Sequence, residues 1–306
     1  MNKPEDTESF QSFKKSPYFS TKCKNYFEVY DQLFSKYRGQ EVTFIEIGIL
    51  QGGSLFMWRD FLGPRARIIG IDLNPDAKRW EEYGFEIFIG DQSKEKFWRE
   101  FVEQVPNFDV LLDDGGHTNL QQLVTLAEMA KAVNPGGVIV VEDTHSSYQR
   151  EFGNPGRLSF INVSKRLVDA LHLKVENLGA VPGIFKRLNS IEYFDSIVAF
   201  KFGSFPQASN EVVNNQGLDL KHLDYRYANH NSFIRTLQKI ETVLSLNYEE
   251  VGRQRSYLRV VNLILNNPAR RNHLKIIVRP IHKSIQFTIS AFLNFETYRF
   301  VSKVKF

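Results

Sequence analysis

The 306-residue chain has one cysteine, Cys23. That excludes an internal disulfide and any zinc site built on cysteine pairs, and it suits a reducing compartment. No apolar run reaches 18 residues, so no transmembrane helix is expected. The opening MNKPEDTESF is acidic and polar, unlike a signal peptide. A cytoplasmic protein is therefore expected. A strict G-x-G-x-x-G dinucleotide fingerprint is missing as well, because Leu50 stands where its middle glycine would be. That weighs against an NAD(P)-dependent sugar oxidoreductase.

What is present is ordinary for a soluble globular protein, with 42% hydrophobic and 24% charged residues, and 26 phenylalanines promise a substantial core. The net charge of +4 hides an asymmetry. Residues 252–306 carry 11 Lys and Arg against one acid, Glu296, while the remainder carries 28 basic against 34 acidic residues. The two parts are expected to do different jobs.

Hydrophobic periodicity orders the first two thirds of the chain. Residues 24–38 place Tyr26, Phe27, Tyr30, Leu33 and Phe34 at helical spacing, within an N-terminal helical cap expected over 1–40. Short apolar runs at 42–48, 67–72, 85–91, 108–114 and 136–143 predict five strands. Helices are predicted over 53–63, 74–84, 94–105 and 119–133. Strands alternating with helices mean a doubly wound, mostly parallel α/β sheet. Residues 191–203 predict an antiparallel edge hairpin, which closes a core at 41–204. A linker and helix are expected over 205–251, the helix at 232–247.

In such a sheet, ligands bind beyond the carboxyl ends of the strands, where the strand order reverses. Those ends read EIGILQGGS, IDLNPD, GDQS, DDGGH and EDTH. Glu46-Ile47-Gly48 followed by Gly52-Gly53-Ser54 lets the backbone turn tightly and approach a ligand. Asp72 stands where an acid accepts hydrogen bonds from ribose hydroxyls. Asp91, with Gln92 beside it, ends the third strand within reach of an adenine amino group. Together these residues describe a pocket for an adenosine-bearing cofactor. A plainer reading makes the glycines a simple turn and Asp72 a helix cap.

The stretch VLLDDGGHTN raises a question of charge. Neighbouring fourth and fifth strands bring Asp114 beside Glu142 and Asp143, and three clustered carboxylates repel unless a cation bridges them. Hard oxygen donors without a thiolate favour Mg²⁺, with Mn²⁺ and Ca²⁺ as alternatives. His117 is the candidate general base, with His145 as its rival. Asp113 faces the opposite way and takes a supporting part. In a plainer reading Asp114, Thr118 or Asn119 caps the next helix and His117 lies on a surface loop.

These residues resemble the class I S-adenosylmethionine-dependent methyltransferases over about residues 20–204, and in particular the metal-dependent sugar O-methyltransferases of macrolide and polyketide pathways (mycinamicin type). The cephalosporin-hydroxylase-like group is similar. The resemblance rests on E-I-G-x-x-x-G-G-S from Glu46 to Ser54, on Asp72, on D-D-G-G-H from Asp113 to His117, and on Glu142-Asp143. It implies a Rossmann-like methyltransferase fold and contacts from Gly48, Ser54 and Asp72 to S-adenosylmethionine, with Thr21 matching an upstream threonine. It further implies Mg²⁺ on Asp114, Glu142 and Asp143, and His117 as general base. The implied acceptor is a small molecule or glycan with a sugar or other diol. Gly116 departs from the serine frequent in the macrolide enzymes, and nothing beyond residue 205 matches the family. A non-catalytic module of a glycan-assembly complex is the other alternative.

The basic end, 268–306, mixes Arg and Lys with Ile, Val and Phe. Its charge-free run of 12 residues is too short to span a bilayer. It reads as a helical extension packed on the core or as a peripheral contact with an anionic membrane surface; a protein partner such as a glycosyltransferase is a further reading. No nucleic-acid motif accompanies the charge, so no nucleic-acid partner is expected. A homo-oligomer is compatible with the sequence.

Overall fold

The computed structural model describes residues 4–152, 156, 158–173, 185–203 and 215–218, with isolated positions at 232, 233, 235, 236, 280, 284, 287 and 288. The chain divides into two compact units, Met1–Val213 and Asn214–Phe306. Apart from those isolated positions, the helix expected over 232–247 and the basic extension with its membrane reading lie outside the described residues.

Seven strands form one sheet in the order β3-β2-β1-β4-β5-β7-β6. They are β1 (Thr43–Ile47), β2 (Arg67–Asp72), β3 (Glu86–Ile89), β4 (Phe108–Asp113), β5 (Val133–Val141), β6 (Leu188–Phe194) and β7 (Ile197–Phe202). The first five run parallel, and β7 pairs antiparallel with both β5 and β6. The expected edge hairpin is therefore present, turning at Ser196 with φ +62°. The order reverses between β1 and β4, which is where such a sheet opens a crevice.

Side chains of successive strand residues face opposite sides, and the core divides accordingly. Phe44, Val110, Leu112, Val138 and Val140 pack on one face against α2 (Tyr26–Phe34) and α3 (Gly53–Leu62). Ile45, Ile47, Leu111, Ile139 and Val141 pack on the other, against α4 (Glu95–Gln104), α5 (Asn119–Met129) and α6 (Phe160–Leu173). The expected cap comprises α1 (Glu8–Lys15) and α2. Tyr30 and Phe34 of α2 set their rings 5.1 and 5.6 Å from Trp58, so the aromatic stripe is core.

Three local details differ from the sequence reading. The helix expected over 74–84 is a 3₁₀ run, Pro75–Tyr83, whose buried Ala77 and Trp80 stand three apart, the repeat of that helix. The fifth strand begins at Val133, because its pairing with β4 jumps from Phe108↔Val133 to Val110↔Val138 across a bulge. Helix α6 was not anticipated, although Phe160, Ile161, Ser164 and Leu167 line one buried face of it.

Candidate active site

The carboxyl ends of β1 to β5 meet at a cleft of about 540 Å³. Gly48 closes the end of β1 with φ +83°, and a Cβ there would stand 2.0 Å from the carbonyl oxygen of Asp114. The first loop thus runs in backbone contact with the tip of β4. The next residues are tied to β2, where Leu50 N donates to Asp72 Oδ2 at 3.1 Å while Asn74 N donates to Oδ1 at 2.8 Å. At the end of β3, the Ser93 hydroxyl, helped by Ser93 N donating to Asp91 Oδ1 at 2.8 Å, holds that carboxyl below its usual range.

Of the residues expected to contact a cofactor, Gly48, Asp72, Asp91 and Gln92 line this cleft. Gln92 also supports the site from behind. Its amide donates to Asp113 Oδ1 at 2.9 Å and to Thr125 Oγ1 at 3.1 Å, and its oxygen accepts from Gly116 N at 3.1 Å. Glu46 and Ser54 are paired with each other, the hydroxyl donating to Glu46 Oε2 at 2.7 Å. Glu46 is fully buried, and Ser54 borders an adjoining hollow that Thr21 also lines.

Strand parity decides where the acids point. Glu46, Asp114 and Glu142 continue the face of Phe44, Leu112 and Val140, toward α2. Asp113 continues the opposite face; it is buried, bonded to Gln92 and to Gly115 N, as its predicted supporting part requires. Burial pushes its carboxyl up to about 6, against the pull of the Gln92 hydrogen bond.

A positive partner for two of the three expected acids, and for Glu46, is present in the chain itself. Lys22 Nζ lies 2.6 Å from Asp114 Oδ2, 3.3 Å from Glu142 Oε2 and 3.4 Å from Glu46 Oε1, with its side chain only 2% exposed. Burial opposes the charge on Lys22, yet Asp114 and Glu142 hold the amine protonated well above its ordinary range. The sequence reading assigned this charge to a metal and missed the lysine. One ammonium cannot neutralise three carboxylates. Burial accordingly raises Glu142, against the pull of Lys22, and raises Glu46 as well. Tyr30 OH donates to Glu142 Oε1 at 2.5 Å, and Tyr26 OH donates to Asp143 Oδ1 at 2.5 Å. Burial raises both phenols, so they remain donors.

Asp143 and His117 face each other across the two tips. His117 Nε2 lies 3.5 Å from Asp143 Oδ2 and 3.9 Å from Asp114 Oδ1, while its buried Nδ1 has no hydrogen-bond partner. His117 and Asp143 both adopt the left-handed region, with φ +57° and +50° respectively, a strained backbone of the kind that gathers at functional sites. Ser146 Oγ pins the turn by donating to His117 O at 2.8 Å. The turn then enters α5 through a capping box between Thr118 and Gln121. The plainer reading is thus met in part, since Thr118 caps the helix and frees Asp114 for the cleft. His145, the rival base, is half exposed and bonds Ser196 at 3.1 Å.

Among the described residues, Asp114, His117 and Asp143 each offer a ligand atom within 4.8 Å of the others. Two hard oxygen donors and an imidazole suit a divalent cation. Glu142, the third expected ligand, stands next to Asp114 but is engaged by Lys22 and Tyr30.

Residues 45–144 match the family model of a methyltransferase domain. The chain is 35% identical over 172 residues to demethylmacrocin O-methyltransferase of Streptomyces fradiae, covering 52% of this chain and 43% of that protein. It is 34% identical over 154 residues to mycinamicin VI 2''-O-methyltransferase of Micromonospora griseorubida, covering 46% and 38%. The match therefore spans less than half the length of either relative. The crystal structure of MycE methyltransferase from the mycinamycin pathway, in complex with Mg and SAH, superposes with a TM-score of 0.57 at 25% identity, over 66% of this chain and 54% of that one. The resemblance drawn from the motifs is borne out by these likenesses, as is the Rossmann-like sheet.

Proposed function

We propose that this protein is an S-adenosylmethionine-dependent O-methyltransferase that uses Mg²⁺ and methylates a hydroxyl of a sugar or other diol. The observation that carries this reading is the meeting, at one sheet reversal, of a glycine loop backed by Asp72 and Asp91 with the set Asp114, His117 and Asp143. The likeness to sugar O-methyltransferases, and to a structure holding Mg and SAH, supports the same reading. The acceptor class is natural-product sugar or cell-surface glycan.

The roles follow from position. Gly48 lets the backbone close on the cofactor, Asp72 accepts from its ribose hydroxyls, and Asp91 with Gln92 borders the adenine end. Glu46 and Ser54, bonded to each other, fix the start of the loop and of α3. Asp114 and Asp143 supply hard oxygen donors for the cation, with Glu142 as the third acid of the set. When bound, the divalent cation orients a diol and lowers the pKa of a hydroxyl that it ligates. His117 Nε2 faces the space between the Asp114 and Asp143 carboxylates, so a hydroxyl held there gives its proton to that nitrogen. Bound S-adenosylmethionine would supply the methyl carbon to the freed oxygen, with S-adenosylhomocysteine as the leaving group. Much of the acceleration comes from orientation.

The test is incubation with methyl-labelled S-adenosylmethionine and a panel of nucleotide sugars, oligosaccharides and catechols, with Mg²⁺ or with EDTA. Transfer to at least one diol is expected, abolished by EDTA while S-adenosylhomocysteine still binds. Transfer unaffected by EDTA would reject the metal, and failure to bind S-adenosylhomocysteine would reject the whole reading.

A further inference from the structure

The proposed transfer gives Lys22 no task, yet its amine reaches three carboxylates. It precedes α2, on a segment remote in sequence from the strand tips it reaches. Its three carboxylate partners come from the ends of three adjacent strands, Glu46 from β1, Asp114 from β4 and Glu142 from β5. An ammonium has three donors, one for each. The face of Tyr30, 5.9 Å away, adds a further favourable contact for the charge. A side chain so buried costs stability when its charge has no partner, and the same holds for each of the acids.

We infer that Lys22 is the fixed counter-cation of this site, a positioning residue that holds the three acids together in the absence of metal. Because it shares Asp114 and Glu142 with the divalent cation, it also weakens metal binding and keeps the metal exchangeable. This second half rests on the metal reading given above; the first half does not.

The experiment is thermal unfolding of the full chain in EDTA and in excess Mg²⁺. It compares the natural protein, Lys22→Met and the double variant Lys22→Met/Glu142→Gln. Met keeps the apolar stem and removes the charge; Gln removes one of the acids while keeping an acceptor for Tyr30. In EDTA, Lys22→Met should lose roughly 10 °C in Tm, and Glu142→Gln should restore at least about half of that loss, as expected where buried like charges are the cause. Mg²⁺ should raise the Tm of Lys22→Met more than that of the natural protein. A packing role alone would give neither the rescue nor the larger Mg²⁺ response. Unchanged Tm for Lys22→Met in EDTA overturns the inference, as does a double variant no more stable than the single one. Should Lys22→Met fail to fold, the double variant is still expected to fold, and its failure overturns the inference too. Absence of any Mg²⁺ response in both proteins rejects the metal reading and the shared-metal half together. Absence of rescue overturns the inference but leaves the metal reading standing wherever Mg²⁺ still raises the Tm, so the two failures are told apart.

Discussion

Replacing Gly48 by alanine tests whether the first loop and the β4 tip really form one rigid unit. The added methyl would sit 2.0 Å from Asp114 O, 2.7 Å from its carbonyl carbon and 2.8 Å from Gly115 Cα. All three are backbone atoms, so no side chain can swing aside. The left-handed φ of +83° costs a further ~1–2 kcal/mol for any residue with a Cβ. Relief requires β1 and β4 to part at their tips, where Asp114 N donates to Ile47 O at 3.1 Å. Backbone strain, overpacking and a weakened hydrogen bond sum to about 4 kcal/mol. Gly84 supplies the control. Its φ is +79°, but a Cβ there meets nothing within 4 Å, so Gly84→Ala should lose only the ~1–2 kcal/mol of the backbone cost. Urea unfolding of both variants reads the difference, and titration with S-adenosylhomocysteine should show at least a roughly 100-fold loss of affinity for Gly48→Ala alone, equivalent to ~2.7 kcal/mol. Equal urea midpoints for the two variants would refute the close approach.

Two further expectations concern the opposite faces of the DDGGH turn. His117→Ala should lower methyl transfer roughly 10²–10⁴-fold with Mg²⁺ affinity retained; loss of Mg²⁺ binding instead, measured by calorimetry, would reassign the imidazole as a ligand. Asp113 has a folded pKa of about 6, raised by burial, above an unfolded value of about 3.9. The native state therefore binds more protons between these values. The favourable contribution is complete below the unfolded value and is lost as pH rises through the folded one. Asp113→Asn removes this dependence, so its stability relative to the natural protein should improve by about 2 kcal/mol from pH 4 to pH 7. Parallel urea curves at all pH values would contradict the buried carboxyl.

What the sequence made legible were features set by short-range rules. The apolar runs and their polar ends located all five parallel strands, and the period of two already turned Asp113 and Asp114 to opposite faces. Gln92 was legible as a cleft residue, but its saturated amide was not, since Asp113, Thr125 and Gly116 reach it from separate elements. The 3₁₀ form of Pro75–Tyr83 escaped because Ala77 and Trp80 fit either helical period. The larger miss is the Lys22–Tyr26–Tyr30 group. Tyr26 and Tyr30 lie at the i, i+4 spacing of an apolar stripe, and nothing local says that their hydroxyls reach carboxylates more than 100 residues away. The available signal was a lysine just ahead of a run of buried aromatics, in a chain with unmatched acids at its strand ends.

Charge counting joins the two parts of the site. Glu46, Asp114, Glu142 and Asp143 offer four carboxylates, and Lys22 supplies one buried cation. The ammonium lies on the α2 side, where Glu46 and Glu142 are fully buried, whereas the remaining oxygens of Asp114 and Asp143 open toward His117 and the cleft. The lysine thus satisfies the inner part of the cluster and leaves negative charge on the outer part, where a cation and an acceptor can arrive. A metal alone would have to desolvate and neutralise all four acids; with Lys22 in place it need meet only the outer two, with Glu142 shared. On the proposed reading, this division lets a site so rich in acid hold its geometry before a metal binds.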